Sequence, residues 1–301
     1  MPAALGVVFW NAERLEFVGE SAAFLEAARA DVLLVEVDVG MARSGNRHTV
    51  RDLAERLGAG WRFAVEFVEL DLGDARERNR HAGSSNEAGL HGAAILSRLP
   101  LERPALVRLE ASGRWFDGSF GERRVGGRIA LLAEVRAIGG PVLLAAAHYE
   151  SRTDPADRLE STRLLLDAID AHAPGRPVLT GGDLNTSTFD LATERDEPAV
   201  TAALAAEPRR LVEPEPFEPL FAFAAARGYG WRECNLPAVP TQRTRPDGTP
   251  REPFGKIDWS LARGLDCRDP RVLPAVDARG VAISDHEALA VKVRPLGGEG
   301  R

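Results

Sequence analysis

The sequence predicts an α/β fold in which two β-sheets face each other and helices cover them. More than eight segments have the short apolar pattern of a β-strand, whereas only a few have helical spacing. The 301 residues, 44% of them apolar and 28% charged, are enough to bury a large core. Because no linker-like stretch divides the chain, we expect a single domain over residues 1–301.

Strand and helix patterns alternate in the first part of the chain, and strands dominate the rest. Helices are predicted over residues 21–29 and 49–57, and from 154 to 171, where Asp154-Pro155 is a typical helix start. The predicted strands are 5–9, 32–37, 62–70, 93–96, 105–109, 128–135, 142–148, 177–180, 257–261, 271–276 and 289–293. We expect a long loop over 73–92 and an elaborated surface segment with one or two short helices over 194–219.

Composition excludes several classes of protein. Two cysteines, Cys234 and Cys267, are too few for a disulfide framework or a cysteine zinc cluster. The formal charge of −7 argues against binding nucleic acid through a generally cationic surface, although it allows a local basic cleft. No stretch approaches the ~18 apolar residues of a membrane span. We expect a soluble, cytoplasmic protein, and nothing in the sequence indicates an obligate protein partner.

Short polar clusters follow several of the predicted strands. Unpaired carboxylates and imidazoles are costly to bury, so each of these clusters needs a partner or a metal ion. Strand ends are also where a rigid scaffold can expose reactive side chains. We therefore expect the clusters to converge on one site. They occupy residues 9–11, 35–38, 147–150, 181–186, 256–259 and 283–286.

Taken in order, these clusters resemble the motifs of the endonuclease/exonuclease/phosphatase superfamily, which includes DNase I-like nucleases, neutral sphingomyelinases and inositol polyphosphate phosphatases. The resemblance covers nearly the whole chain and rests on Trp10-Asn11, Glu36, His148, Gly182-Asp183-Leu184-Asn185, Ile257-Asp258 and Ser284-Asp285-His286. Residues 93–98 also resemble an internal strand of that family. The resemblance implies a four-layer α/β sandwich of two facing mixed sheets flanked by helices. It also implies a site at one end of the sheets and a requirement for Mg²⁺ or Mn²⁺.

Two positions depart from the pattern of the family. Val35 precedes Glu36 where the family often has Gln, and Tyr149 follows His148 where an aliphatic residue is common. Neither change replaces an expected ligand or catalytic group. The departures therefore do not change the expected activity, but they leave the substrate open.

Glu36 is the first candidate for a metal ligand, because Mg²⁺ prefers hard oxygen donors and takes one or two carboxylates. Taken alone, a glutamate at a strand end would as readily form a salt bridge. By resemblance, Asn11 and Asp285 lie beside Glu36 and hold the ion or its waters. Asn11 alone would be an ordinary turn residue.

Asp183 and Asn185 are candidates for positioning the attacking water and the phosphate. Asp183 would orient the water, while the Asn185 amide would steady the phosphoryl oxygens. The alternative is an Asx turn in which Asp183 caps backbone amides. Gly181 and Gly182 favour the catalytic interpretation, since they allow a backbone to approach substrate closely, although they would suit a tight turn equally well.

Two histidines complete the predicted catalytic set. Asp258 would hold His286 in one tautomer and favour its protonated form, which could bind a phosphoryl oxygen. His148 would stabilise the phosphate or protonate the leaving group, with Glu87 as a weak candidate to orient it. Each histidine alone could be an ordinary, partly buried residue. Three further histidines are interpreted as surface or loop residues without a role: His81, His91 and His172.

Arginines near these motifs could clamp a substrate phosphate on the rim of the site. Arg43, Asn46 and Arg47 follow Glu36 closely and are the predicted substrate-binding residues. Exposed arginines in loops are usually only solvated, and this alternative stays open. The same ambiguity applies to Arg76, Arg78, Arg80, Arg123, Arg124 and Arg128.

The sequence predicts a metal-dependent phosphoesterase that breaks P–O bonds by in-line attack of water. Its expected partner is a phosphate ester, and a phosphodiesterase or nuclease, with nucleic acid or a smaller diester as substrate, is the first interpretation. The alternative is a phosphomonoesterase acting on a sugar, inositol or lipid head-group phosphate. A third hypothesis is a catalytically silent module that binds phosphorylated ligands, which should have lost Glu36, Asp183 or His286. None of these three residues is lost.

Overall fold

A computed structural model describes residues 4–186, 206–207, 209–243 and 255–297 of the chain. The strands in these residues are β1 (Leu5–Arg14), β2 (Asp31–Val39), β3 (Gly60–Glu69), β4 (Leu90–Ser97), β5 (Leu101–Arg108), β6 (Arg124–Gly126), β7 (Ile129–Ala137), β8 (Gly140–His148), β9 (Val178–Asp183), β10 (Asp258–Arg263), β11 (Leu265–Leu273) and β12 (Ala288–Pro295). The α-helices are α1 (Val18–Ala28), α2 (Thr49–Leu57), α3 (Ala75–Arg80), α4 (Pro155–His172), α5 (Arg209–Val212) and α6 (Pro219–Ala226). No helix among them is both long and apolar enough to cross a membrane.

The strands form two mixed sheets. The first has the order β11-β12-β1-β2-β4-β3-β6, and the second has the order β10-β9-β8-β7-β5. β1 pairs with β2 and β8 with β9 in parallel, while the other pairs are antiparallel. The predicted fold class, two facing mixed sheets flanked by helices, is confirmed.

Successive side chains of a strand point to opposite faces of its sheet, and this alternation builds the layers. In β1, Val7 points into the cluster between the sheets, while Val8 points into the cluster under α1 and α2. The second sheet repeats this arrangement, since Leu144 faces the first sheet and Leu143 packs in the cluster formed with α4 and α6. The sheets are therefore covered on both outer faces, as a four-layer sandwich requires.

Two short elements interrupt segments in which no regular structure was expected. α3 lies inside the predicted loop 73–92 and buries none of its side chains, so it leaves no apolar periodicity to detect. Its signal is a capping box, in which Asp74 accepts from the Glu77 backbone and Glu77 accepts from the Asp74 backbone. β6 is only three residues long, too short for any pattern. Half of the predicted segment 194–219 lies outside the described residues, and the described half contains the short helix α5.

Candidate active site

The register of the second sheet sets three functional side chains in a row. His148, the last residue of β8, pairs with Asp183, the last residue of β9, and Asp183 pairs with Asp258, the first residue of β10. All three are buried. Residues far apart in sequence thus lie side by side because the three strands reach the same edge.

The first sheet delivers its groups to the same place. Asn11 on β1 donates from Nδ2 to Asp183 Oδ2 at 3.1 Å, which links the two sheets directly. The segment before β12 is tied to β1 as well, since Ser284 Oγ donates to the Asn11 carbonyl at 2.7 Å. Trp10 Nε1 donates to the His286 carbonyl at 3.1 Å. These bonds fix the backbone of His286 beside Asp183.

Two histidines, His148 and His286, face the same Asp183 carboxylate. His286 Nδ1 lies 2.9 Å from Asp258 Oδ2, and its Nε2 lies 3.8 Å from Asp183 Oδ2. His148 Nε2 lies 3.7 Å from the same Asp183 oxygen. Burial alone would lower the pKa of His286, but the Asp258 and Asp285 carboxylates raise it well above its usual value. Burial raises the pKa of Asp183, although the charge of His286 opposes that shift.

Glu66, and not Glu87, lies against His148. Glu66 Oε2 is 3.2 Å from His148 Nδ1, whereas Glu87 is exposed and its backbone N–H donates to Asn46. Burial alone would raise the pKa of Glu66, but the charges of His148 and Arg128 lower it to about 2. A β-bulge at Glu66 breaks the alternation of β3, which explains why the strand pattern did not single out this residue.

Arg128 lies beneath His148 and is not a rim residue. One of its Nη atoms is 3.0 Å from His148 Nδ1 and 2.6 Å from Glu66 Oε1, and its Nε donates to Glu150 Oε2 at 3.2 Å. Trp115 Nε1 donates to the same Glu150 oxygen at 2.8 Å. This buried network leaves His148 little freedom to rotate.

Glu36 sits at the mouth of a cleft. A second bulge, in β2, and a positive φ of 54° at Glu36 turn its carboxylate toward the site, where Oε1 lies 3.8 Å from His148 Nε2. Burial alone would raise the pKa of Glu36, but the positive charges of Arg14 and His148 lower it well below its usual value. The cleft has a volume of 430 Å³ and also contacts Asp285, Arg43, Arg76 and Arg80.

Arg14 was not predicted from the sequence, and it contacts the Glu36 carboxylate directly. One Nη atom is 2.5 Å from Glu36 Oε2, and the guanidinium also reaches Glu77 and Glu122, at 3.3 and 3.4 Å. The consecutive residues Glu13, Arg14 and Leu15 all have left-handed backbone, with φ of 42°, 73° and 54°. Such strain is costly for non-glycine residues and is typical of functional sites.

The predicted substrate-binding residues use their polar groups within the protein. Arg43 is buried, with Nε 2.8 Å from Asp38 Oδ2 and Nη1 3.1 Å from Glu77 Oε2, so it supports the floor of the cleft. Asn46 donates to the Ser85 carbonyl, and Arg47 donates to the Ser44 and Glu16 carbonyls. Their contact with substrate stays a prediction.

His91 corrects the interpretation of that residue as a surface group. It is fully buried on β4, and its Nδ1 lies 2.8 Å from Asp38 Oδ1. Arg43 Nη2 lies 3.3 Å from the same ring nitrogen. His91 therefore belongs to the charged support under the cleft.

Asp183 combines the two interpretations that the sequence left open. Its Oδ1 accepts from the Asn185 backbone N–H at 2.9 Å, which is an Asx turn, while Oδ2 faces the two histidines. The Asn185 amide donates to the Tyr149 carbonyl at 3.0 Å, and Asn185 itself has a φ of 46°. Tyr149 is buried, and its hydroxyl donates to Thr162 on α4.

Comparison with known proteins identifies the family. The sequence matches the family model for the Endonuclease/Exonuclease/phosphatase family over residues 10–286. The chain belongs to this family. Membership in it supports a phosphoesterase. A search of curated proteins by sequence gives no significant match.

Solved structures of this family share the fold. An endonuclease/exonuclease/phosphatase from Beutenbergia cavernae is 22% identical with a TM-score of 0.64, and the match covers 98% of this chain and 72% of that one. The human Nocturnin catalytic domain with bound sulfate is 17% identical, with a TM-score of 0.59 and coverage of 98% and 96%. A truncated TDP2 from Caenorhabditis elegans is 15% identical, with a TM-score of 0.55 and coverage of 96% of both chains. At these identities the likeness is one of fold.

The residues present fit a divalent cation of the kind that this family generally uses. Glu36 and Asp285 line the same cleft, and a cation bound there would take the place of Arg14 as the partner of Glu36. Ligand atoms of Asp183, Asp258 and His286 lie within 4.8 Å of one another and form a second group able to hold an ion. Glu36 and Asp285 offer only oxygen atoms, the donors that suit Mg²⁺, whereas the second group includes an imidazole.

Proposed function

We propose that this family member is a divalent-metal-dependent phosphodiesterase that hydrolyses P–O bonds by attack of water. The observation that carries the proposal is the pair of histidines whose Nε2 atoms lie 3.7 and 3.8 Å from one Asp183 oxygen. Each histidine is held from behind by a buried carboxylate, Glu66 or Asp258. A base between two oriented imidazoles suits proton transfer to and from a phosphate ester.

Each residue has a role that follows from its surroundings. Asp183, with its raised pKa, accepts the proton of the attacking water. His286, with its pKa well above the usual value, stays protonated and donates to a phosphoryl oxygen. His148, held by Glu66, stabilises the departing oxygen. Glu36, Asp285 and Asn11 would hold Mg²⁺ or Mn²⁺, which when bound would supply positive charge against the phosphate oxygens.

The charge of the cleft favours a diester over a monoester. Its lining contains six carboxylates (Glu13, Glu16, Glu36, Asp74, Glu77 and Asp285) and four arginines (Arg14, Arg43, Arg76 and Arg80). Arg14 and Arg43 are each already paired with two or more carboxylates. A phosphodiester carries one negative charge where a monoester carries up to two, so it is the better match for a cleft with little uncompensated positive charge.

A comparison of two chromogenic esters tests the proposal. Bis-p-nitrophenyl phosphate should be hydrolysed faster than p-nitrophenyl phosphate with Mg²⁺ or Mn²⁺, and EDTA should abolish turnover. Asp183→Asn should lower kcat by about 10²- to 10⁴-fold, while Asp117→Asn, on the exposed loop before β6, should leave it unchanged. Turnover that resists EDTA, or near-normal turnover by Asp183→Asn, would contradict the proposal. Faster hydrolysis of the monoester would favour a phosphomonoesterase, and ligand binding without turnover would favour a silent module.

A further inference from the structure

Arg14 divides its guanidinium among three carboxylates at the wall of the cleft. One Nη atom contacts Glu36 Oε2 at 2.5 Å, Nε lies 3.3 Å from Glu77 Oε1, and the other Nη atom lies 3.4 Å from Glu122 Oε1. Glu36 belongs to β2, Glu77 to α3 and Glu122 to the loop before β6. Each guanidinium nitrogen has a partner of its own, so the loss of one contact leaves the other two in place.

The contact with Glu36 has a different consequence from the other two. Glu36 is the first candidate for a metal ligand, whereas Glu77 and Glu122 belong to neither candidate metal group. A guanidinium and a divalent ion are both attracted to one carboxylate and repel each other, so each weakens the binding of the other. Glu77 and Glu122 still hold Arg14 when an ion takes its place at Glu36.

The backbone keeps Arg14 next to the candidate ion. Its left-handed φ of 73° is a strained conformation that the surrounding structure has to maintain. The Arg14 side chain is 15% exposed, and it lines the cleft together with Glu36 and Asp285. The Nη atom that contacts Glu36 therefore lies where the phosphate of a substrate would meet the ion.

The other arginines of the cleft with described ion pairs have different partners. Arg43 is buried under the cleft and pairs with Asp38. Arg80 lies 3.6 Å from Glu16, and its side chain is 67% exposed. Arg14 thus combines contact with a candidate ligand and access to the cleft.

We infer that Arg14 is a phosphate-binding residue that changes partner: a divalent ion displaces it from Glu36, and the freed Nη atom donates to a phosphoryl oxygen of the bound ester. The inference rests on the proposed function for the class of that ester. A phosphate that binds Arg14 draws it away from Glu36, and this favours the ion. Ion and phosphate therefore raise each other's affinity, with Arg14 as part of the coupling.

Binding of Mn²⁺ and inorganic phosphate tests the inference without turnover. Electron paramagnetic resonance of free Mn²⁺ gives the Mn²⁺ Kd of each variant, with and without phosphate in the same buffer. Arg14→Gln should bind Mn²⁺ alone about 5-fold or more tightly than wild type, because Glu36 loses its competing partner. Phosphate should tighten Mn²⁺ binding to wild type, and Arg14→Gln should lose about 5-fold or more of that effect.

Arg80→Gln provides the matched control. It removes the same charge from the same cleft, but Arg80 pairs with Glu16 and is exposed to solvent. Its Mn²⁺ Kd should stay within about twofold of wild type, since exposed charges are screened. Unchanged or weaker Mn²⁺ binding by Arg14→Gln, or the same gain in Arg80→Gln, would overturn the inference. An equal effect of phosphate on Arg14→Gln and wild type would overturn it as well.

A measurement on the wild-type chain does not depend on the folding of a variant. Mg²⁺, which is diamagnetic, should shift the Nε–Hε signal of Arg14 in a ¹⁵N NMR titration, because the guanidinium leaves Glu36. An Arg14 signal that does not change up to saturation with Mg²⁺ would contradict the displacement.

The two proposals fail in different ways. If the wild-type chain hydrolyses no phosphodiester but Arg14→Gln gains Mn²⁺ affinity and loses the effect of phosphate, the proposed activity is wrong and the role of Arg14 stands. If bis-p-nitrophenyl phosphate is hydrolysed and Arg14→Gln binds Mn²⁺ like wild type, the activity stands and the role of Arg14 is wrong.

Discussion

Individual side chains in the site depend on buried partners for their orientation. His286 has Asp258 within 2.9 Å, and His148 has Glu66 within 3.2 Å. The sequence pointed to Asp258 through the Ile257-Asp258 motif, whereas Glu66 lies inside a strand, at a bulge, and belongs to no motif. The sequence signal for Glu66 is a charged residue within a strand pattern. Sequence alone does not show toward which face of the sheet a bulge turns that residue.

Glu66 and Glu87 allow a direct test of which carboxylate supports His148. Glu66→Gln should lower kcat by about 10- to 100-fold with little effect on KM, because His148 loses the carboxylate that orients it while no contact with substrate is removed. Glu87→Gln makes the same chemical change at an exposed position and should stay within twofold of wild type. Steady-state kinetics on both variants, with circular dichroism to check folding, provides the measurement. Equal kcat in Glu66→Gln and wild type would remove Glu66 from this role.

At the scale of elements, two glycines of β9 allow this strand to lie close to both of its neighbours, β8 and β10. A Cβ added at Gly181 would lie 2.2 Å from the Trp259 carbonyl oxygen on β10, and one added at Gly182 would lie 2.3 Å from the Ala147 carbonyl oxygen on β8. Both contacts are with backbone, which cannot move aside without shifting the register of Asp183. These glycines are thus explained by strand packing, rather than by the approach of substrate that the sequence suggested.

Long elements were predictable and short ones were not. α2 was predicted with the bounds that the structure gives, because five of its nine residues are buried on one face. α3 buries none, and β6 has only three residues, so neither produces periodicity. The candidate site shows the same limit, since motifs at strand ends were visible while Arg14, held by a strained backbone, was not.

A buried carboxylate links the start of β2 to the end of β4 and predicts a pH-dependent stability. Ser97 Oγ donates to Asp31 Oδ1 at 2.8 Å, while burial raises the pKa of Asp31 to about 6 against the Ser97 hydrogen bond. Because the folded pKa exceeds the unfolded one, ionised Asp31 destabilises the fold. This loss of folding free energy is absent below about pH 4 and reaches its full size above about pH 6.

Asp31→Asn keeps an acceptor for Ser97 and removes the charge. It should therefore raise the free energy of unfolding by roughly 2 to 3 kcal/mol at pH 8 and change it little at pH 4, as measured by urea denaturation. Asp269→Asn, at an exposed site where Lys292 lowers the carboxyl pKa, should give no gain at either pH. A destabilised Asp31→Asn at pH 8 would show that the hydrogen bond outweighs the charge.

The whole molecule brings its candidate metal-binding side chains together where its two sheets meet. Asn11 and Glu36 come from one sheet and Asp183 and Asp258 from the other, and Asp285 lies before β12. The sequence predicted these residues as a set from their motifs, although the structure places Asn11 and Glu36 inside strands and Asp258 at the start of one. The sequence could not show which of these residues bind the same ion. That depends on how the two sheets are aligned, and the sheets consist of segments that are far apart in the sequence.

Thermal unfolding can decide between the two candidate metal groups. A cation that binds only the folded chain at 100 times its Kd adds about 2.7 kcal/mol, which should raise the Tm of a chain this long by about 4 °C. If the ion lies at Glu36 and Asp285, Glu36→Gln should abolish the shift with Mg²⁺ and Asp258→Asn should retain it. The reverse result would place the ion at Asp183, Asp258 and His286, a group whose ligand atoms lie within 4.8 Å. Glu87→Gln serves as the control for lost charge, and a wild-type Tm that does not change between EDTA and excess Mg²⁺ or Mn²⁺ would contradict metal binding at either group.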